Sequence, residues 1–465
     1  ELFALVGRRS IERIAALADG GNLVLPSAAA QCIACATRYG AFDATADAAP
    51  EKEAVLAVVE WISGDAAPLL APGALVDVIA FMAAAGIADP DCAHSLGAHL
   101  SILAPQMTPR ELSRGVFHLS RCGGFNSVHL QRVADVVVDR SDEFRCTVDA
   151  VRLLHGFTKM GVMHRGAYNT LATRMRKRPM LHGVGVRDAV VALDALSGAK
   201  YLDETVFGAL TRRIQRAVRQ CGPIDVALAA QGHADVYVLN GNFYNALADR
   251  ALELAGPLDG AAAVADGSGD ADTDADDNAA APSPRADAYP LGAGVRLLES
   301  LGAAGIERHD TAEAVIVRIA DDHGDEMTHG DALRLLGALC DMNYHGEAID
   351  GLSEILVEKM GAFNSVDLKE LCCMLLIMNW RDDALLRAIG DHAVRLESDD
   401  ALEPLAARLA LDTLGHFLHH HPEARAELSE PARSVSKHVL VGDDTDVMTR
   451  VTTGSAGTTM ASIGA

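Results

Sequence analysis

Apolar residues recur along this chain at helical spacing, in blocks separated by polar or glycine-containing breaks. Ala332, Leu335, Leu336 and Leu339 fall on one helix face, as do Leu371, Met374, Leu375 and Met378. The blocks come in pairs. Thr108-Pro109-Arg110-Glu111 opens a helix, with Thr108 placed to cap and Pro109 at the first helical position. Cys122-Gly123-Gly124 closes it with a left-handed glycine exit, and Val128 to Arg140 forms the second helix. The same plan returns in Ser365 to Met378, a turn at Asn379-Trp380-Arg381-Asp382, and Ala384 to Leu396.

The turns inside successive pairs fall near Gly40, Gly86, Gly124, Gly161, Lys200, Val236, Gly305, Asn343, Trp380 and His419. Most steps are 36 to 39 residues, the length of two helices and two short turns. A longer first step holds the loop Asp43 to Pro50, and the step from Val236 to Gly305 holds an insert of roughly thirty residues. A helix pair of this size cannot bury its apolar stripe alone and must stack on its neighbours. The pattern predicts an all-α fold, an α-solenoid of about ten helix-turn-helix repeats with a period near 38 residues.

The insert divides the array. Residues 1–256 read as an N-terminal block of about six repeats, and residues 291–440 as a C-terminal block of about four. Between them, 257–290 is a disordered acidic segment, with Asp266, Asp270, Asp272, Asp274, Asp276 and Asp277 close together. It is not a calcium loop, because Ala275 and Ala281 stand where the sharp-turn glycine and the bidentate glutamate are needed. Residues 441–465 read as a flexible tail.

Composition agrees with helices: the chain is 49% apolar but only 4% aromatic, and Ala and Leu, the least costly helix formers, dominate. Few aromatic rings are on offer for base stacking. Nine cysteines spread thinly through 465 residues fit buried thiols in a reducing compartment better than a disulfide framework. No uncharged apolar run is long enough to span a bilayer. The chain opens on Glu1, which leaves the question of a removed leader open.

Most residues that could carry chemistry have a simpler reading. Cys32-Ile33-Ala34-Cys35 lacks a second ligand pair for zinc and reads, like Cys372-Cys373, as core thiols. His416, His419, His420 and His421 read as a solvated helix end, favoured there by the helix dipole. Gly183-Val184-Gly185 lacks the third glycine of a dinucleotide fingerprint and reads as an inter-repeat turn. No nucleophile elbow or phosphate loop is visible, so the reading is a protein that is not an enzyme, with no catalytic residues, metal or cofactor.

Charge is the exception. The chain totals −24, yet Arg145 to Arg219 carries fourteen Lys/Arg against five Asp/Glu, a net +9. Its cations recur with the period: Arg140, Arg178 and Arg216 are 38 apart, as are Arg174 and Arg212. Such spacing predicts a ladder of Arg140, Arg174, Arg176, Lys177, Arg178, Arg212, Arg213, Arg216 and Arg219 on successive repeats, suited to RNA phosphates without sequence readout. A dock for an acidic protein, or a solvated face, would use the same charges.

Units such as Ser365-Val-Asp-Leu-Lys-Glu-Leu to Trp380-Arg-Asp-Asp-Ala-Leu-Leu resemble heptatricopeptide and FAST-kinase-like repeats, with Phe125-Asn-Ser-Val and Phe363-Asn-Ser-Val each following a turn. The Ala-rich version is similar to helical-repeat subunits of kinetoplastid mitochondrial RNA-editing and ribosomal complexes. The resemblance implies a scaffold subunit of a ribonucleoprotein complex in the mitochondrial matrix, acting in RNA editing or RNA processing. Its partners would be RNA and several proteins, with no membrane and no small-molecule substrate. The alternatives are a mitoribosome subunit or assembly factor, or a protein–protein adaptor without RNA contact. Ser434 to Ala465 does not resemble the small nuclease-like domain that often ends such proteins, which argues against RNA cleavage.

Overall fold

The computed structural model describes residues 59–123, 127–177, 183–256, 289–399 and 401–420. The expected first turn near Gly40, Cys32 and Cys35, residues 257–288 of the acidic segment and the tail all lie outside the described residues; Tyr289, read as part of that segment, is buried and donates its N–H to Asp322 Oδ2 (2.9 Å).

The described residues are all-helical, without a strand. Their α-helices are α1 Pro72–Ala84, α2 Pro90–Leu103, α3 Pro109–Leu119, α4 Ser127–Asp139, α5 Thr147–Lys159, α6 Arg165–Met175, α7 Val186–Gly198 and α8 Glu204–Arg216. They continue with α9 Pro223–Ala234, α10 Gly241–Ala255, α11 Leu291–Ala303, α12 His309–His323, α13 His329–Asp341 and α14 Ala348–Lys359. The last are α15 Ser365–Met378, α16 Asp383–Ser398 and α17 Pro404–His420. The chain divides into two compact units, Glu1–Gln220 and Cys221–Ala465.

Within the first unit α1, α3, α5 and α7 pack one on the next, and α2, α4 and α6 form a parallel row of neighbours. Within the second, α9, α11, α13, α15 and α17 pack in sequence, and so do α10, α12, α14 and α16. The contacts of α9 with α11 and α10 with α12 bridge the acidic insert, which therefore leaves from a linker between hairpins without interrupting the packing.

Local chemistry explains where the helices start and stop. Thr108 Oγ1 accepts from Glu111 N (3.3 Å) while Glu111 Oε2 accepts from Thr108 N (2.8 Å), a reciprocal cap. Asn364 and Asp367 repeat it on α15. Odd-numbered helices of the hairpins end on a left-handed residue: Gly86, Gly123, Gly161, Lys200, Tyr237, Gly305, Asn343 and Asn379. In most of these turns the following residue is apolar and its N–H reaches back five residues, as from Val162 to Phe157 O (2.8 Å) and Tyr344 to Leu339 O (3.0 Å). The expected turns at Gly124, Val236 and Trp380 thus sit one residue away, on Gly123, Tyr237 and Asn379. Near His419, where a turn was expected, α17 is still helical through His420.

The two rows bury different amounts. On α7, Val186, Ala189, Val190, Ala192, Leu193, Ala195 and Leu196 are buried over a wide arc, whereas α8 buries the narrower stripe Val206, Phe207, Leu210 and Ile214. Small residues let the odd-numbered helices approach closely. A Cβ at Gly156 of α5 would stand 2.6 Å from Val116 Cγ1 and 3.0 Å from Val116 O of α3. Gly156→Ala is therefore expected to cost about 1–3 kcal/mol, although alanine is the better helix former. Gly351→Ala on α14, where nothing lies within 4 Å, should be neutral or stabilising by up to about 1 kcal/mol. Urea midpoints of the two variants check this; equal midpoints would contradict the close approach.

Candidate nucleic-acid interface

The periodic arginines serve two different purposes. Linkers between hairpins, several of them a single 3-10 turn, carry carbonyls outside the α-helical ladders, which can take further donors. Arg140, just past α4, supplies them: its Nη1 donates to Ala104 O (3.1 Å), Pro105 O (3.1 Å) and Met107 O (2.8 Å), and its Nε to Glu143 Oε1 (2.9 Å). Those carbonyls belong to the segment that leads into α3, the partner of α4 in its hairpin. Arg174 at the end of α6 donates to Ser141 Oγ (3.3 Å) and pairs with Asp142, in the segment leading into α5. Arg213 Nε donates to Val184 O (3.0 Å) ahead of α7. Within the second unit Arg250 Nε donates to Cys221 O (3.1 Å) ahead of α9, and buried His392 donates from Nε2 to Phe363 O (2.9 Å) ahead of α15. One device recurs: the second helix of a hairpin ties down the linker that enters the first.

Arg176 is also engaged, with Nε 3.0 Å from Asp203 Oδ2. Asp203 is buried and caps α8 by accepting from Val206 N (3.1 Å). Burial opposes its ionisation, but the Arg176 guanidinium and the backbone N–H groups of Val206 and Thr205 outweigh that and hold its carboxyl below the usual range.

Lys177, Arg212, Arg216 and Arg219 remain. All four are exposed, and among the described residues they have no ion-pair partner. Arg178 lies outside the described residues. The four do not form one cluster. Arg176 and its neighbour Lys177 reach the N-terminal end of α8 through Asp203, whereas Arg212 and Arg216 occupy the last turns of that helix and Arg219 the short turn Val218–Gln220 after it. Thirteen residues of α8 at 1.5 Å each separate these ends by about 20 Å.

Other candidates have structural places. Cys372 is buried and its thiol pushed up to about 12 by desolvation, and Cys373 is half-buried and raised for the same reason. Gly185 is the N-cap of α7, and Val184 O is the acceptor of Arg213. His416 Nε2 lies 3.2 Å from Asn379 Oδ1; His421 is outside the described residues. Among the described residues no group of His, Cys, Asp or Glu could hold a metal ion, and no helix is long and apolar enough to cross a membrane.

One feature has no counterpart in the sequence patterns. Met163, Arg165, Asn169, Lys200, Tyr201 and Leu202 line an open groove between the start of α6 and the α7–α8 turn. Compared with known proteins, the sequence matches no family model and no curated protein.

Proposed function

We propose that this chain is a non-catalytic helical-repeat scaffold that binds RNA phosphates and partner proteins inside a mitochondrial ribonucleoprotein complex, in RNA editing or processing. The fold behind this reading is an α-solenoid of about ten hairpins with a period near 38 residues. It is supported by the left-handed turn residues, which stand 36 to 39 apart from Gly86 to Tyr237 and again from Gly305 to Asn379. Row-by-row packing of alternate helices and the recurring tie from second helix to entering linker support it too.

The observation that carries RNA contact is Lys177, Arg212, Arg216 and Arg219 standing exposed and without an ion-pair partner among the described residues, in a chain of net charge −24. In so acidic a molecule carboxylates are plentiful, so cations left without one are available to an external polyanion. Arg140, Arg174 and Arg213 instead tie the linkers ahead of α3, α5 and α7, and Arg176 holds Asp203, the N-cap of α8.

A second reading, a protein–protein adaptor or mitoribosomal subunit, draws on exposed apolar side chains at hairpin turns. Met163 is 64% and Leu202 47% exposed in the first unit, and Leu239 72% in the second. Fluorescence anisotropy with a single-stranded RNA of about thirty nucleotides at low salt tests the choice. RNA scaffolding predicts saturable binding. No binding, together with a partner protein retained through nuclease treatment, would replace it with the adaptor.

A further inference from the structure

The odd-numbered row of helices in the first unit carries a cationic face of its own. Arg114, Phe117 and His118 on α3, with Arg121 in the turn after it, follow the spacing of one helix face. Arg152, His155 and Lys159 do the same on α5, which packs against α3. Rings join the two stripes: the Phe117 ring centroid lies 5.4 Å from that of His118 and 5.5 Å from that of His155. The cations stand around these rings. Desolvation first, and then Arg114, Arg121 and Arg152, lower the pKa of His118 to about 4. Desolvation, followed by Lys159 and Arg121, lowers that of His155.

The fold leaves most of this charge uncompensated. Arg114 reaches Asp77 of α1 at 3.5 Å, but among the described residues Arg121, Arg152 and Lys159 have no ion-pair partner. Arg121 and Lys159 are exposed, and Arg152 is half-buried. Helices α3 and α5 contain one carboxylate each, and both are engaged at the helix start. Glu111 accepts from Thr108 N in the reciprocal cap, and buried Asp149 accepts from Ser113 Oγ (2.8 Å). Phe117 is equally set apart. Among the described residues it is the one phenylalanine that is not buried. In a chain of net charge −24 with 4% aromatic residues, this ring stands amid cations that no carboxylate of their own helices meets.

We propose that the α3–α5 face is a second contact surface for single-stranded RNA. A base stacks on Phe117, and phosphates on either side of it meet Arg121, Arg152 and Lys159. An acidic peptide would pair with the cations and leave Phe117 in water. The inference rests on the RNA reading and adds to it a surface on a different row of helices. Lys177, Arg212, Arg216 and Arg219 stand on or after the even-numbered α6 and α8.

Phe117→Trp supplies a local reporter beside the native Trp61 and Trp380. The full chain carrying it, and the parent, are titrated at low salt with a labelled oligouridylate of about ten residues. Tryptophan fluorescence and RNA anisotropy are read together. Fluorescence of the Phe117→Trp variant should fall saturably while that of the parent changes little. Adding Arg121→Glu/Arg152→Glu/Lys159→Glu should raise the half-point by about tenfold without lowering the melting temperature. Adding Lys177→Glu/Arg212→Glu/Arg216→Glu/Arg219→Glu instead should leave the quench saturable. In that fourfold background without the reporter, Phe117→Leu should weaken the remaining RNA binding by about tenfold, the loss of one stacked base. RNA bound by anisotropy with the reporter's fluorescence unchanged would overturn this inference and leave the RNA reading standing; no binding by either signal would overturn both. An unchanged half-point or a lowered melting temperature on reversing the three cations, or undiminished affinity in Phe117→Leu, would also overturn it. So would displacement of the RNA by a glutamate-rich peptide at equal concentration, which would give the face to an acidic protein.

Discussion

Changing Lys177, Arg212, Arg216 and Arg219 to glutamate should lower affinity for single-stranded RNA by about a hundredfold near 0.1 M salt and leave the melting temperature near the parent's. Arg140→Ala and Arg174→Ala should do the reverse. The contrast follows from where each side chain spends its donors. Arg140 holds three linker carbonyls and Glu143, and Arg174 holds Ser141 and Asp142. Each tie involves a charged donor, and its loss is expected to cost about 1.5–3 kcal/mol. RNA affinity of those two variants should stay within about twofold, since neither guanidinium is offered to solvent as a free charge. The exposed four lose no internal bond when reversed, so the folded state tolerates the change. Thermal melts and RNA anisotropy on both sets of variants check it. A protein that unfolds when the four cations are reversed, or ties whose removal abolishes RNA binding at full stability, would invert the assignment.

Acidification should destabilise both units, and in the second unit the effect has an identifiable source. His233 of α9 is wholly buried, its ring centroid 4.2 Å from that of Phe243, with Nδ1 3.2 Å from Ala229 O. Desolvation lowers its pKa from 6.5 to about 4, against a smaller opposing pull from the Ala229 carbonyl. In the unfolded chain the imidazole takes up a proton near pH 6.5. Between pH 6.5 and about 4 the unfolded state therefore binds more protons than the folded one, and stability rises with pH. The contribution is complete above about pH 6.5 and is lost as pH falls towards 4, a total of about 3 kcal/mol. In the first unit His118 is lowered to about 4, again chiefly by desolvation and then by Arg114, Arg121 and Arg152, so its contribution fades in the same window. Hydrogen exchange at α9 and α10 from pH 7 to 4.5 should show protection falling steeply in the parent and much less in His233→Leu. Equal slopes in the two proteins would mean that His233 is not the titrating group.

The helices were legible in the sequence because their signals are local. Thr108-Pro109 announces a helix start through chemistry confined to a few residues, and a glycine such as Gly86, Gly161 or Gly305 announces a stop. Lys200 and Tyr237 mark left-handed turns without the residue type that turns prefer, so only their spacing pointed to them. The meaning of the arginines was not legible. A structural tie repeated in each hairpin and a phosphate contact repeated in each hairpin leave the same mark on a sequence, and Arg140, Arg174 and Arg213 separate from Arg212 and Arg216 only when their acceptors are in place. Arg176 was grouped with Arg212 in one ladder, but its partner Asp203 sets it at the opposite end of α8. The groove was invisible for another reason: α6 and the α7–α8 turn belong to different hairpins, and neither contributes a pattern of its own.

The central claim is that exposed cations of the first unit hold RNA by its phosphates, and the most direct measurement is the salt dependence of RNA affinity. Four phosphate contacts on a single strand give a slope of log Kobs against log salt of about −3. The account predicts that slope or a steeper one for the parent, and a slope less steep by about 3 once Lys177, Arg212, Arg216 and Arg219 are glutamate. A parent whose affinity ignores salt, or a variant that keeps the parent's slope, would contradict it.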